Sequence, residues 1–401
     1  MFTKRRCTIL AAGGLLGLLG LAVFLKAATA GKPTPPPPKP VPWPYSITFL
    51  GTLGGDYSIV EAINNLGDVV GWGETSAYTP AWSTRNAKWQ VAFVSTVENG
   101  VRVMHNLNDL IPADEKPHWY LQSAKAINDL GQIAGSGYHN GLSRAFRYTP
   151  PNDLLPAVIE DLGTLGGDQS QARGINQDGD CTGTSKDAND RLVSFLYTRD
   201  DAGNWVMLDI GELDPTVGQG PLATRINLNK QICGSAQVLG VGTHAFRYTP
   251  PDTMIDLGVI GVNKSGPYRM SDSAAFDLND DGVVVGHSTA GGGAYRAFMY
   301  TDRMVDLGSL GGGSSKATGI NNSGWIVGNA SLASGTYHFF LYTPDMGMMD
   351  LEPAIRNLPP GMSGTLHRGD PARINDLGVI CGTRRPPSGL PTSEAFVLTR
   401  Q

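Results

Sequence analysis

Charge is scarce in this chain of 401 residues, of which 17% are Asp, Glu, Lys or Arg against about 25% in an ordinary soluble domain. A disordered segment or a coiled coil needs far more charge and less apolar content, so both are excluded for the body of the chain. Basic surplus is missing as well: 31 Lys and Arg face 36 Asp and Glu. Four of those cations (Lys4, Arg5, Arg6 and Lys26) lie in the first thirty residues. Without a strong positive field, no nucleic-acid partner is expected. Cysteine numbers only four. Cys7 belongs to the leader, and Cys181, Cys233 and Cys381 make an odd, widely spaced set that is no disulfide framework. Each stands beside a Gly at the end of an apolar strand and reads as a small buried hydrophobe. G-x-S-x-G, H-E-x-x-H, a Walker loop and a dinucleotide fingerprint are all missing. The seven histidines are scattered without ligand spacing. No catalytic residue, metal or cofactor is therefore assigned.

Glycine (52) and proline (27) are abundant instead, which points to many turns between short strands. At the N-terminus, Lys4-Arg5-Arg6 precedes an apolar run from Ile9 to Leu25, and Ala28-Thr29-Ala30 forms a small-residue cleavage pattern. These are the three parts of a secretory signal. The run is short and glycine-rich for a membrane span, which takes about 20 apolar residues. Lys26 leaves a retained N-terminal anchor as the alternative, and that anchor is the only membrane attachment expected. Residues 1–30 are thus expected to be a signal peptide or anchor. Residues 31–44, with their proline run, are expected to be a polyproline II linker. Residues 45–401 are the exported body, placed outside the cell or in the periplasm or envelope.

That body is repetitive. I-N-x-x-G-x-x-x-G or a close variant occurs seven times, as INNLGDVVG (63–71), INDLGQIAG (127–135), INQDGDCTG (175–183), INLNKQICG (226–234), LNDDGVVVG (278–286), INNSGWIVG (320–328) and INDLGVICG (374–382). A second unit resembling AF-x-YT follows each copy, from 92–96 to 395–399, and a third, clearest as DLGTLGG (161–167) and DLGSLGG (306–312), precedes the next. Asn-x-x-Gly between apolar stretches predicts a tight reversal in which both Asn and Gly accept positive φ. AF-x-YT reads as a strand that Thr-Pro ends. Four strands in about 50 residues, seven times over, predict an all-β fold: a seven-bladed β-propeller of four-stranded antiparallel blades. The body opens on a fourth-strand unit and ends on a third-strand unit. Closure is therefore expected by pairing residues 46–51 with 394–399, which removes the open junction of the ring.

These units resemble the HAF-repeat extracellular proteins, named for a His-Ala-Phe that this chain holds literally at His244-Ala245-Phe246 and, in altered form, at His338-Phe339-Phe340. The resemblance spans about residues 45–400. It implies an exported repeat protein and brings no catalytic residues with it.

Asp161, Asp256, Asp306 and Asp350 recur at one strand end, where a carboxylate caps backbone amides more readily than it performs acid–base work. His244 and His338 read as packing or turn residues. Asp277-Leu278-Asn279-Asp280-Asp281-Gly282 resembles the start of a calcium loop, but the twelfth position is Ser288 rather than Glu, and the segment coincides with a repeat hairpin. Glu61, Lys125, Arg173, Arg225, Asp277 and Arg373 fall just before the repeat Asn, on the strand expected innermost. They either pair between blades or line a central channel that holds an ion.

Length variation concentrates on the face opposite the Asn turns, at 72–91, 111–123, 212–222, 259–273 and 352–370. Loops that vary on a rigid scaffold are where binding sits. The first two insertions carry the candidate binding residues Trp72, Tyr78, Trp82, Trp89, His118, Trp119 and Tyr120. Aromatic rings there either stack on sugars and protein partners or pack on one another as a local core. The expected function is non-catalytic binding of a glycan or an extracellular protein. A polysaccharide hydrolase or lyase on the same scaffold, with Asp114, Glu115 and Glu212 as acid candidates, is the alternative, together with a purely structural envelope role.

Overall fold

Seven antiparallel sheets follow one another around a ring in the computed structural model, which describes residues 38–76, 89–261, 271–291, 293–358, 373–384 and 393–401. The first blade comprises Gly54–Ile63, Val69–Thr75, Trp89–Glu98 and Val101–Asn106 in that order. Five more blades repeat the order, with inner strands Trp119–Ile127, Gly166–Ile175, Leu222–Ile226, Ser273–Leu278 and Gly311–Ile320. The seventh begins with Arg373–Ile374, Ile380–Arg384 and Glu394–Arg400. Its fourth strand is the N-terminal Tyr45–Gly51, paired antiparallel with Glu394–Arg400, so the ring closes as the order of the repeat units predicts. Ile355–Arg356 adds a short parallel edge beyond that strand.

The apolar core is divided into seven clusters, each spanning the junction of two neighbouring blades. Its fixed element is the AF phenylalanine. Phe93, Phe146, Phe195, Phe246, Phe298, Phe340 and Phe396 are all completely buried. Each lies directly opposite the last glycine of the preceding repeat unit, as in Gly71↔Phe93 and Gly234↔Phe246. A Cβ at Gly71 would stand 1.9 Å from the Ile59 carbonyl oxygen and 2.9 Å from the Phe93 ring. The glycine is thus required by close approach, because the aromatic ring and the inner strand occupy the side-chain space.

The Asn turns differ from the expectation in one respect. The turn glycines, among them Gly67, Gly131 and Gly282, take positive φ, but the Asn residues do not. The asparagine is required by its side chain. Asn279 Oδ1 accepts the Val283 amide at 2.9 Å, and Nδ2 donates to the Asn321 carbonyl of the next blade at 3.3 Å. The same cross-blade bond runs from Asn64 to Asn128, Asn176, Asn227, Asn279, Asn321, Asn375 and back to Asn64. All seven asparagines are buried, and together they form a closed belt around the axis. In the fourth blade Lys230 replaces the turn glycine, keeps the positive φ (59°) and donates to Thr198 Oγ1 at 2.8 Å.

The free cysteines Cys181, Cys233 and Cys381 are buried, and burial pushes each thiol up to about 12. They are inert core residues, as their positions suggest. The Pro-rich segment was expected to be a spacer throughout 31–44, yet its last residues dock on the body. Asp350 of the sixth blade donates to the Lys39 carbonyl and accepts from the Val41 amide through backbone groups, and Val41 is buried. Apolar Val41 and Trp43 have a blade edge to cover, which outweighs the extended preference of their proline neighbours.

If the belt asparagine served only the turn, Asp would replace it freely, since Asp accepts a backbone amide equally well. Asn279→Asp is instead expected to lower stability by about 2–4 kcal/mol, because it sets a carboxylate against the buried Asn321 carbonyl. Denaturant unfolding checks this, and a loss below about 0.5 kcal/mol would reduce the belt to local turn chemistry.

Candidate functional site

Each inner strand runs toward its Asn turn, so the charged residues before that turn line the axis. In six blades the strand carries a bulge three residues before the Asn, at Glu61, Lys125, Arg173, Thr224, Phe276 and Thr318. A bulge re-aims the side chain it carries. Arg225, Asp277 and Arg373 follow one position later. Lys125 Nζ sits 2.7 Å from Glu61 Oε1, a pair between neighbouring blades. Trp72 Nε1 donates to the same carboxylate oxygen at 3.2 Å. Arg225 spans the channel, donating to the Arg173 carbonyl at 2.7 Å and to the Glu61 carbonyl at 3.0 Å. Arg373 Nε donates to the Glu61 carbonyl at 3.2 Å.

Burial and like charge perturb these groups. Desolvation, together with the neighbouring Arg225 charge, lowers Arg373 to about 10. Desolvation also raises the Asp277 carboxyl, against the pull of Arg373 and Arg225. Glu61 is raised by burial, yet Lys125, Arg225 and Arg373 together bring it below the usual carboxylate range. The channel opens at the Asn turns into a cavity of about 180 Å³ lined by Arg225, Arg373, Asp277 and the belt. Around its mouth stand Asp129, Asp280 and Asp376, whose carboxylates accept backbone amides of adjacent blades at 2.7–2.9 Å. Among the described residues no group of His, Cys, Asp and Glu is placed to hold a metal ion.

On the opposite face the candidate aromatic residues divide. Tyr78 and Trp82 lie outside the described residues. Trp72 is half-buried, edge-on to Tyr57 at 5.3 Å and hydrogen-bonded to Glu61, so it belongs to the channel wall. Trp89 is half-buried and edge-on to Tyr120 at 5.8 Å. His118 is exposed, with Nδ1 2.9 Å from Asn140 Oδ1. Trp119 and Tyr120 correct the expectation of an exposed aromatic patch, since both are buried. Trp119 stacks on His139 at 4.4 Å and meets Phe146 edge-on, while the Tyr120 hydroxyl donates to the Gln90 carbonyl at 2.6 Å. They start the inner strand of the second blade rather than ending a loop, and there their apolar area is covered. Of the acid candidates, Glu212 is engaged by Arg191 at 3.0 Å, and Asp114 is exposed.

The recurrent His and Asp are architectural partners. His244 Nδ1 is 2.8 Å from Asp256, His338 Nδ1 is 2.9 Å from Asp350, and His139 Nδ1 is 2.7 Å from Asp161. The same carboxylates accept the amide two residues on, from Gly163, Gly258 and Glu352 at 2.7–3.1 Å. The Asp carboxylate therefore caps its turn and, in two blades, also fixes the His that precedes the AF pair, while in the second blade it holds His139 at the end of the neighbouring strand. Sequence reading had separated these roles because the two residues are contiguous only across the strand pair.

No protein-family model matches this chain, and no curated protein does. Several solved structures share its fold. The β-propeller domain of the trilobed protease from Pyrococcus furiosus, described as having an open velcro topology, superposes with a TM-score of 0.52 at 8% identity, over 86% of this chain and 95% of that one. A puromycin-hydrolyzing peptidase of Mycobacterium tuberculosis gives 0.51 at 13% identity, over 90% of this chain. The chain spans 55% of that peptidase and 52% of an acylaminoacyl peptidase from Pyrococcus horikoshii (TM-score 0.49, 9% identity). At such identity the likeness establishes the class: this is a seven-bladed β-propeller, whose ring is closed by its own N-terminal strand.

The His244–Asp256 pair gives the fold a pH signature. The hydrogen bond from Asp256 lifts His244 above its usual 6.5, so its stabilisation is full below that pH and lost as pH rises through the lifted value. Asp256 is raised by burial but brought below its usual 3.8 by His244 and the Gly258 amide, so its share is lost only in stronger acid. Thermal unfolding is expected to show wild type losing stability from about pH 6.5 upward, with His244→Gln showing a shallower decline because His338 is lifted in the same direction. Parallel curves would remove the ion pair from the account.

Proposed function

We propose that this chain is an exported, non-catalytic member of the HAF-repeat type that binds a glycan or a protein partner through the face opposite its Asn turns. The observation that carries this reading is the placement of its loops. Successive strands of each blade are antiparallel, so the strand ends that flank the longer connections (Thr75 and Trp89, Asn106 and Trp119, Asp209 and Leu222, Asp256 and Ser273) lie on one face of a closed ring. The belted face stays short apart from the connection at 150–157. Variable loops on a rigid frame form a recognition surface with little ordering cost. Trp72, Tyr78, Trp82, Trp89 and His118 are the contact residues of this reading. Buried Trp119 and Tyr120 support the loops from beneath. Export rests on the charged, apolar and small-residue succession at residues 4–30 and places the partner outside the cytoplasm.

The test incubates the full chain with insoluble and soluble polysaccharides and follows both retention and the release of reducing or unsaturated ends. Retention without products, weakened about tenfold or more in a Trp82→Ala/Trp89→Ala double variant that unfolds at the wild-type temperature, is expected. Released products would replace this reading with a polysaccharide hydrolase or lyase. Silence in both channels would turn the search to a protein partner.

A further inference from the structure

The axial charges do not balance. Lys125, Arg173, Arg225 and Arg373 face only Glu61 and Asp277, and Lys125 and Trp72 already occupy the Glu61 carboxylate. Asp277 spends its oxygens on the amides of Leu278 and Ile320 at 3.1 and 3.2 Å. Among the described residues, three guanidinium groups are left with no carboxylate within ion-pair distance, and Arg225 and Arg373 reach only backbone carbonyls. Two nitrogens lack even that: Arg173 Nε and Arg373 Nη1 are buried without a hydrogen-bond partner. The Arg373 side chain belongs to a residue only 8% exposed. A buried, unpaired cation is among the costlier features a fold can carry. Two of the three guanidiniums, those of Arg225 and Arg373, line one cavity, where they can be relieved together by a counter-ion.

We propose that the channel is an anion site, in which Arg225 and Arg373 hold one compact oxyanion of phosphate or carboxylate chemistry. Guanidinium forks match the paired oxygens of such a group. The cavity, at about 180 Å³, has room for an ion of a few heavy atoms. The carboxylates of Asp129, Asp280 and Asp376 at the mouth repel extended polyanions, so the site selects a small ion over a polymer. Asp277 sets its strength: its carboxylate lines the same cavity, feels the Arg373 and Arg225 charges, and competes with the bound ion for them. The site is independent of the long-loop face.

Calorimetric titration of the full chain with inorganic phosphate, and separately with acetate, at pH 7 and fixed ionic strength tests this. One phosphate or one acetate per chain is expected to bind saturably, and comparing the two identifies the preferred oxyanion. Arg373→Gln should weaken uptake about tenfold or more by removing one fork. Asp277→Asn keeps an amide acceptor for Ile320 and should tighten uptake severalfold, by deleting the competing charge. The second variant keeps the idea testable where loss of Arg373 disturbs the fold, because no loss of structure tightens a site. Uptake of neither ion, or uptake unmoved by both substitutions, overturns the proposal.

Discussion

Every blade of this ring is held by the seven asparagines at 64, 128, 176, 227, 279, 321 and 375, each of which caps its own turn with one end of its amide and grips the next blade with the other. A four-stranded blade cannot bury both faces by itself, so its stability comes from its neighbours, and the junctions must keep register around a full circle. Hydrophobic clusters provide attraction without direction. The belt provides direction: seven buried donors find partners only when all blades sit at the same height and angle, since an orphaned amide in that environment is costly. It also sets the size of the opening, and thereby the radius at which the axial charges meet.

Closure depends on a second device of the same kind. The N-terminal strand pairs with Glu394–Arg400 along its length. Ser58 Oγ then joins the first blade to the seventh, donating to the Gly51 carbonyl at 2.7 Å and accepting the Ala395 amide at 3.0 Å. Ser170 and Ser273 repeat this clasp between other blades. The junction that joins the chain ends is therefore built like junctions within the chain. Residues 39–41 extend the seal by bonding to Asp350 on the sixth blade.

The two faces differ in physical character. On the Asn side, short turns, carboxylates tied to backbone amides and a small cavity make a stiff rim above a cationic wall. On the other side, longer loops stand over buried aromatics. Trp119 and Tyr120 show how the second face is supported, because rings that would be adhesive in the open are consumed as ballast for the strands below. Trp72 links the faces, since its indole reaches the Glu61 carboxylate at the axis.

Seven copies of the Asn turn (six of them Asn-x-x-Gly, the fourth with Lys230) and of AF-x-YT or its variants, with a fourth-strand unit displaced to the start, were enough to determine blade number, strand order and closure. Each is a local or periodic property, and turn chemistry with strand alternation is written residue by residue. The D-L-G carboxylate was legible as a turn cap for the same reason. Partnerships between repeats were not. Asn279 reads as a turn residue until its amide is seen against Asn321, and His244 as a packing residue until the Asp256 carboxylate lies across the strand pair. The charge series from Glu61 to Arg373 could be placed on the inner strands from sequence, but its imbalance could not. Which cation finds a carboxylate depends on side chains hundreds of residues apart meeting across a narrow channel, and only closure of the ring fixes that distance.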